Sequence, residues 1–98
     1  MSVNHIVLLN LDESAGVEQL QKLYAEFQTR LSTIPGVESV SIGKNFKIDA
    51  DKYNHAAAIR LVNREALENY IPHPTHIGVA ETMKPYMRDY LVVDYDIC

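Results

Sequence analysis

The chain has one cysteine, no long apolar run, no surplus of basic charge and no glycine-rich loop, and each shortage excludes something. Cys98 has no second cysteine to pair with, so the fold does not depend on an oxidising compartment. The N-terminal apolar run Ile6 to Leu9 is too short for a signal-peptide core or a membrane span, and it lacks a basic lead-in. These absences set the expectation of a cytoplasmic protein with no membrane partner. Lys and Arg number 9 against 13 Asp and Glu, for a formal net charge of −4. The basic residues are scattered and form no stripe that could neutralise phosphates, so nucleic acid is not an expected partner. There is no phosphate-binding loop, nucleophile elbow or paired carboxylate set, and no cofactor is expected.

What is present is an ordinary globular composition, 47% hydrophobic and 22% charged over 98 residues. That is enough for one domain spanning residues 1–98 and too little for a second core. Val3–Leu11 alternates as a strand, with His5, Val7, Leu9 and Leu11 on one face and Asn4, Ile6, Leu8 and Asn10 on the other. Ser14 is the expected cap of a helix running to about Thr33, with Leu20, Leu23, Tyr24, Phe27, Leu31 and Ile34 as its apolar stripe. Pro35-Gly36 ends it. A second strand is expected over Val37–Gly43, then an exposed loop Lys44–Tyr53 carrying Asn45 and Asp49. A third strand covers Asn54–Val62, and Asn63 caps a short helix through Tyr70. Pro72 and Pro74 interrupt that helix, Thr75 caps another, Pro85 ends its regular part, and a last strand covers Tyr90–Asp96.

The order predicts an α+β fold of the ferredoxin-like βαββαβ type: a four-stranded antiparallel sheet with helices on one face. The other face would show Ile6, Leu8, Ala56 and Ala58, where a solvated sheet should turn polar. A second copy of the same sheet is the simplest cover, so a homodimer through the sheet face is expected.

Four histidines carry the chemistry the sequence offers. His5 and His55 fall on the helix side of two adjacent central strands, so their rings are expected to approach one another. The segment Tyr70-Ile71-Pro72-His73-Pro74-Thr75-His76 is placed to reach over the sheet edge towards them. The bland reading of a strand histidine is a hydrogen-bonded core residue. A metal pair at His73 and His76 is disfavoured, because the prolines spoil helical spacing and no carboxylate or Cys stands at ligand distance in sequence. No metal site is expected.

Several short motifs, His5-Ile6-Val7-Leu8-Leu9, Ile34-Pro35-Gly36-Val37, Gly43-Lys44-Asn45, Tyr53-Asn54-His55, the Tyr70–His76 segment and Val92-Val93-Asp94-Tyr95, occur in one order over nearly the whole chain. In this the chain resembles the stress-responsive dimeric α/β-barrel (Dabb) family, which includes polyketide cyclases of the olivetolic-acid type. The resemblance implies that two sheets meet to form a barrel. It also implies that Tyr70 and His76 match a catalytic pair of a cofactor-free aldol cyclisation, with His5 and His55 in support; His73, in the same segment, is a further substrate-binding candidate. The implied pocket lies between sheet and helices, lined by Val7, Leu9, Leu23, Tyr24, Phe27, Val40, Ala57, Val79 and Met87. Leu23, Val79 and Met87 stand where the cyclase has aromatic residues, so shape and substrate differ. Two functions follow as expectations. One is a dimeric stress-response-type protein binding a hydrophobic small molecule in a His- and Tyr-lined pocket. The other is a cofactor-independent cyclase or lyase acting on a carbonyl compound through Tyr70 and His76.

Overall fold

Alternation in the first segment is realised as strand β1, Val3–Leu11. Val3, His5, Leu9 and Leu11 are buried under the helices. The computed structural model describes residues 1–47 and 52–98. Ser14 does not cap the first helix. A 3-10 turn, Glu13–Ala15, comes first, and Asp12 caps it by accepting from the Ser14 amide at 2.9 Å. Gly16 then takes φ +87°, a conformation costly for any residue with a Cβ, so the turn cannot run on into a helix. Helix α1 starts afresh over Val17–Leu31. It stops two residues before Thr33, where Ser32 and Thr33 turn their hydroxyls back onto the Gln28 and Arg30 carbonyls.

Leu23, Phe27 and Leu31 form the buried stripe of α1, each contributing about 1.5–3 kcal/mol by leaving water. Gly36 reverses the chain after it with φ +87°, and a Cβ there would stand 2.6 Å from the Ala66 Cβ. Strands β2, Val37–Lys44, and β3, His55–Leu61, follow. Between them Asn54 is tied to both backbone groups of Leu11 at 2.9 Å, while Asp49 lies outside the described residues. Asn63 caps α2, Arg64–Tyr70, by accepting from the Ala66 amide at 2.8 Å.

Helix α3 spans Pro74–Met83. Its cap is His73 rather than Thr75: the imidazole Nδ1 accepts from the Thr75 amide at 3.1 Å. Pro74 is already the first helical residue, where a missing N–H costs nothing, so the cap must precede it. A 3-10 turn, Lys84–Tyr86, holds Pro85, and β4 runs over Met87–Asp96, three residues earlier than the periodicity predicts. Met87 pairs with Leu11 across a register shift that the sequence pattern does not show.

The sheet order is β2-β3-β1-β4, every neighbouring pair antiparallel. This is a ferredoxin-like α+β fold, with three α-helices among the described residues. The core lies between helices and sheet, where Ile59, Leu61 and Leu31 are fully covered. The helices do not reach over all of β4: Tyr90 and Val92, register partners of Leu9 and Val7, stay 58% and 39% exposed. The opposite face carries Ile6, Leu8, Ala56 and Ala58, joined by Leu91, Val93 and Tyr95 of β4. Among the described residues no helix is long and apolar enough to cross a membrane.

Candidate functional site

His5 sits in mid-β1 facing the helices, and the β1–β4 register sets Asp94 directly opposite it. Its Nδ1 is 2.5 Å from the Asp94 carboxylate, which can only accept, so Nδ1 carries the proton. Above it, α2 ends with Tyr70, 1% exposed, whose ring stands edge-on to His5 at 5.6 Å between centroids. His76 enters from the first turn of α3, with its ring 4.5 Å from that of Tyr70. The corner between the two helices fixes this approach. His73 caps α3, Pro74 starts it, and the His76 Nδ1–H donates to the Ile71 carbonyl at 2.8 Å.

Both imidazoles therefore spend Nδ1 on an acceptor, which leaves Nε2 as the nitrogen able to meet whatever enters. Burial pushes the Tyr70 phenol up, so its hydroxyl stays protonated at neutral pH and serves as a donor.

These groups border a cavity of about 380 Å³ that also takes in Val7, Leu9, Phe27, Val79, Met83 and Met87. Its polar end is His5, Tyr70, His76 and Asp94, and the rest is largely apolar. It opens where the helices leave β4 uncovered, beside Ile71, Tyr90 and Val92. Of the residues singled out from sequence, His5, Val7, Leu9, Phe27, Tyr70 and His76 line it, as do Val79 and Met87. Leu23 and Ala57 lie in the closed core and Val40 packs against it. His73 faces its own helix as a cap and is absent from the lining.

His5 and His55 do not approach each other. The antiparallel register places His5 opposite Ile59 and His55 opposite Leu9, four residues along the sheet or roughly 13 Å. His55 belongs to a separate group. Its Nδ1 accepts from the Tyr24 hydroxyl, and its Nε2 is 3.3 Å from the Glu13 carboxylate, off the line of a hydrogen bond. Lys44 closes that group by pairing with Glu13 at 3.2 Å. Desolvation lowers the His55 pKa, with Glu13 partly opposing it, and burial raises that of Tyr24. Neither Tyr24 nor His55 borders the cavity.

Asp94 is the polar residue of the cavity that periodicity alone passes over. The signal for it is the pairing of β1 with β4, which needs the register and not only the parity of each strand. Met83, Ile71, Tyr90 and Val92 were missed for a similar reason, since their place depends on how far the helices extend over the sheet edge.

The family model for the stress responsive A/B barrel domain matches residues 3–97. Olivetolic acid cyclase of Cannabis sativa is 24% identical over 97 residues, covering 97% of this chain and 96% of that protein. A dimeric ferredoxin-like protein of Thermobifida fusca superposes with a TM-score of 0.84 at 20% identity, over 99% of this chain and 92% of that one. A hydroxynitrile lyase of Passiflora edulis gives 0.86 at 19% identity, over 99% and 94%.

Proposed function

Because the chain belongs to the stress responsive A/B barrel domain family, we propose that it is a homodimer that binds a small, mostly apolar molecule bearing a carbonyl group. The cavity carries this reading. Its 380 Å³ suits a small ligand, and its polar groups gather at one end with an apolar chamber beyond. A carbonyl oxygen at the polar end takes a hydrogen bond from the Tyr70 hydroxyl, and an alkyl or aryl portion fills the space between Phe27, Val79 and Met83. Calorimetric titration with linear ketones, β-keto esters and aromatic ketones tests this. Saturable binding by the wild type, weakened about tenfold in Tyr70→Phe by loss of one buried hydrogen bond, is the expected result. Equal affinity in both proteins removes the assignment of the polar end.

The homodimer rests on the helix-free face. Ile6, Leu8, Ala56, Ala58, Leu91 and Val93 form an apolar centre. Its rim is polar: Asn4 bonded to Tyr95 and Arg60 near Glu38 at one end, Lys52 paired with Asp89 at the other. That is the anatomy of a specific interface, and an interface of about 1,600 Å² or more is expected. Sedimentation should give twice the 11.1 kDa chain mass, and Leu8→Glu should return monomer or unfolded chain. A stable wild-type monomer refutes it.

A second reading is favoured by the ring contact between Tyr70 and His76 together with the anchored Nδ1 of His76. In it the protein is a cofactor-independent cyclase or lyase. His76 Nε2 removes a proton from carbon between two carbonyls, and Tyr70 donates to the oxygen on which negative charge develops. Cyclisation of linear poly-β-keto thioesters above the buffer rate tests it. If none cyclises while ketones still bind, the catalytic reading falls and the binding one stands.

A further inference from the structure

Strand β4 is shared by two surfaces. Tyr90, Val92 and Asp94 line the cavity, while Leu91, Val93 and Tyr95 look out from the helix-free face. As an edge strand it has one neighbour, β1, where the strands inside the sheet have two. The other edge, β2, is backed by the core, since Val37, Val40 and Ile42 pack against it. In β4, Met87 at the start of the strand does so. From Tyr90 to Tyr95 both faces of the strand are open, with Tyr90 58% and Leu91 47% exposed. The outer wall of the cavity is thus a strand with little backing on either face, and segments with few buried contacts open at the lowest free energy.

Two hydrogen bonds on opposite faces tie the position of this wall to the polar end of the cavity. His5 is bonded to Asp94 at 2.5 Å on the cavity side, and Asn4 donates to the Tyr95 hydroxyl at 2.9 Å on the other. The two pairs are consecutive in the β1–β4 register, so one movement of β4 disturbs both. We propose that the ligand site is complete only in the dimer: association over the helix-free face and ligand entry order the same stretch of β4, and each strengthens the other. The inference rests on the homodimer and cavity readings and goes beyond them by coupling the two.

A partner covers Leu91, Val93 and Tyr95, and a ligand covers Tyr90 and Val92. Whichever arrives first bears the entropy of fixing the strand, so the second meets a wall already in place. Linkage makes the effect reciprocal: a partner that raises ligand affinity by some factor is itself held more tightly when ligand is bound. Each dimer has two such cavities. With ligand affinity about tenfold higher in the dimer, inside the usual range of such coupling, filling both sites tightens the dimer by the square of that factor, about a hundredfold.

The test uses 2-octanone as probe and sedimentation equilibrium as readout. Leu91→Ala thins the dimer contact on the face away from the cavity and brings the dimer Kd into measurable range. Saturating 2-octanone should lower that Kd by about a hundredfold. In Leu91→Ala combined with Tyr70→Phe, the ketone concentration that produces the shift should rise about tenfold, because one buried hydrogen bond to the probe is lost. Leu91→Glu should be monomeric and bind 2-octanone about tenfold more weakly than wild type in calorimetry, with faster amide exchange over residues 90–95 and unchanged exchange in α1. A dimer Kd that ignores saturating ketone overturns the proposal, as does a Leu91→Glu monomer that binds the ketone as tightly as wild type. The same ketone dependence with and without Tyr70→Phe places the effect outside the cavity and overturns it too. Should Leu91→Glu fail to fold, the Kd of Leu91→Ala still decides. Wild type that sediments as a monomer sinks the homodimer reading, and a wild-type dimer that takes up no 2-octanone sinks the cavity reading. Each takes the proposal down with it, and each is distinct from a dimer that binds ketone without coupling.

Discussion

The two strand histidines share one face of the sheet and have opposite surroundings. His5 is held through Nδ1 by a half-exposed carboxylate and looks into a cavity. His55 is 1% exposed, engaged by Tyr24 on one nitrogen and approached by Glu13 on the other, with no part in that cavity. The same side chain at the same depth is thus set towards open volume in one place and towards packing in the other. What separates them is the second nitrogen and whether open volume lies beyond it. Burial alone does not mark a functional histidine.

The widest gap between the two groups should appear on removing a base. In the catalytic reading, His76→Ala lowers turnover of a cyclising thioester by roughly 10²–10⁴-fold, the usual contribution of a positioned base. The unfolding midpoint should hardly move, because His76 is only half-buried. His55→Ala should do the reverse. It opens a void beneath α1 and strands the Tyr24 hydroxyl, costing about 2–4 kcal/mol in urea unfolding while leaving ligand affinity nearly unchanged. Loss of affinity in His55→Ala with stability intact would erase the distinction drawn between the groups.

Why one group was legible and the other misassigned follows from what periodicity encodes. Alternation along β1 and β3 put both histidines on the helix side, and the structure agrees. Parity gives a face and says nothing of position along it. Only the register, with His5 opposite Ile59 and His55 opposite Leu9, separates them. Asn63 was readable as a cap because an Asn before a helical run has one common use. His73 was not, since imidazole rarely caps and Thr75 offers a stronger local signal. Gly16 misled in the other direction: Ser14 has the right chemistry, but a positive φ two residues later cuts the helix away from it. The bare face was legible because it needed only parity. The open side of the cavity was not, because it depends on how far the helices extend across β4.

A smaller effect is expected at Asp94. Asn in its place keeps an oxygen for the His5 Nδ1–H and removes the charge that holds the ring. The carboxylate side chain is 45% exposed, so Asp94→Asn should change stability by no more than about 1 kcal/mol. Ligand affinity, or turnover in the catalytic reading, should fall by roughly tenfold, in keeping with loss of one charge-assisted hydrogen bond. Asp94→Ala should cost more than Asp94→Asn. Equal losses in both would show that charge, and not orientation of His5, is what matters.

The finest test is the dependence of stability on pH. Desolvation holds the folded-state pKa of His55 below its ordinary value of 6.5, and the Lys44 ammonium acts in the same direction. Glu13 opposes them, and Tyr24 contributes a neutral hydroxyl. With the folded pKa depressed, the unfolded chain binds more protons than the native one in the interval below 6.5. Stability from this group is therefore complete above 6.5 and declines as the pH falls from there to the lower folded-state value. Urea unfolding at closely spaced pH values should show that decline in the wild type, and His55→Gln should flatten it. Glu13→Gln should deepen it, because the one nearby charge that favours the imidazolium is gone. The variant also releases Lys44 from its pair with Glu13, and the Lys44 charge acts in the same direction on His55. A decline of the same size in wild type and His55→Gln would place the titrating group elsewhere and show that His55 is not held neutral by its burial.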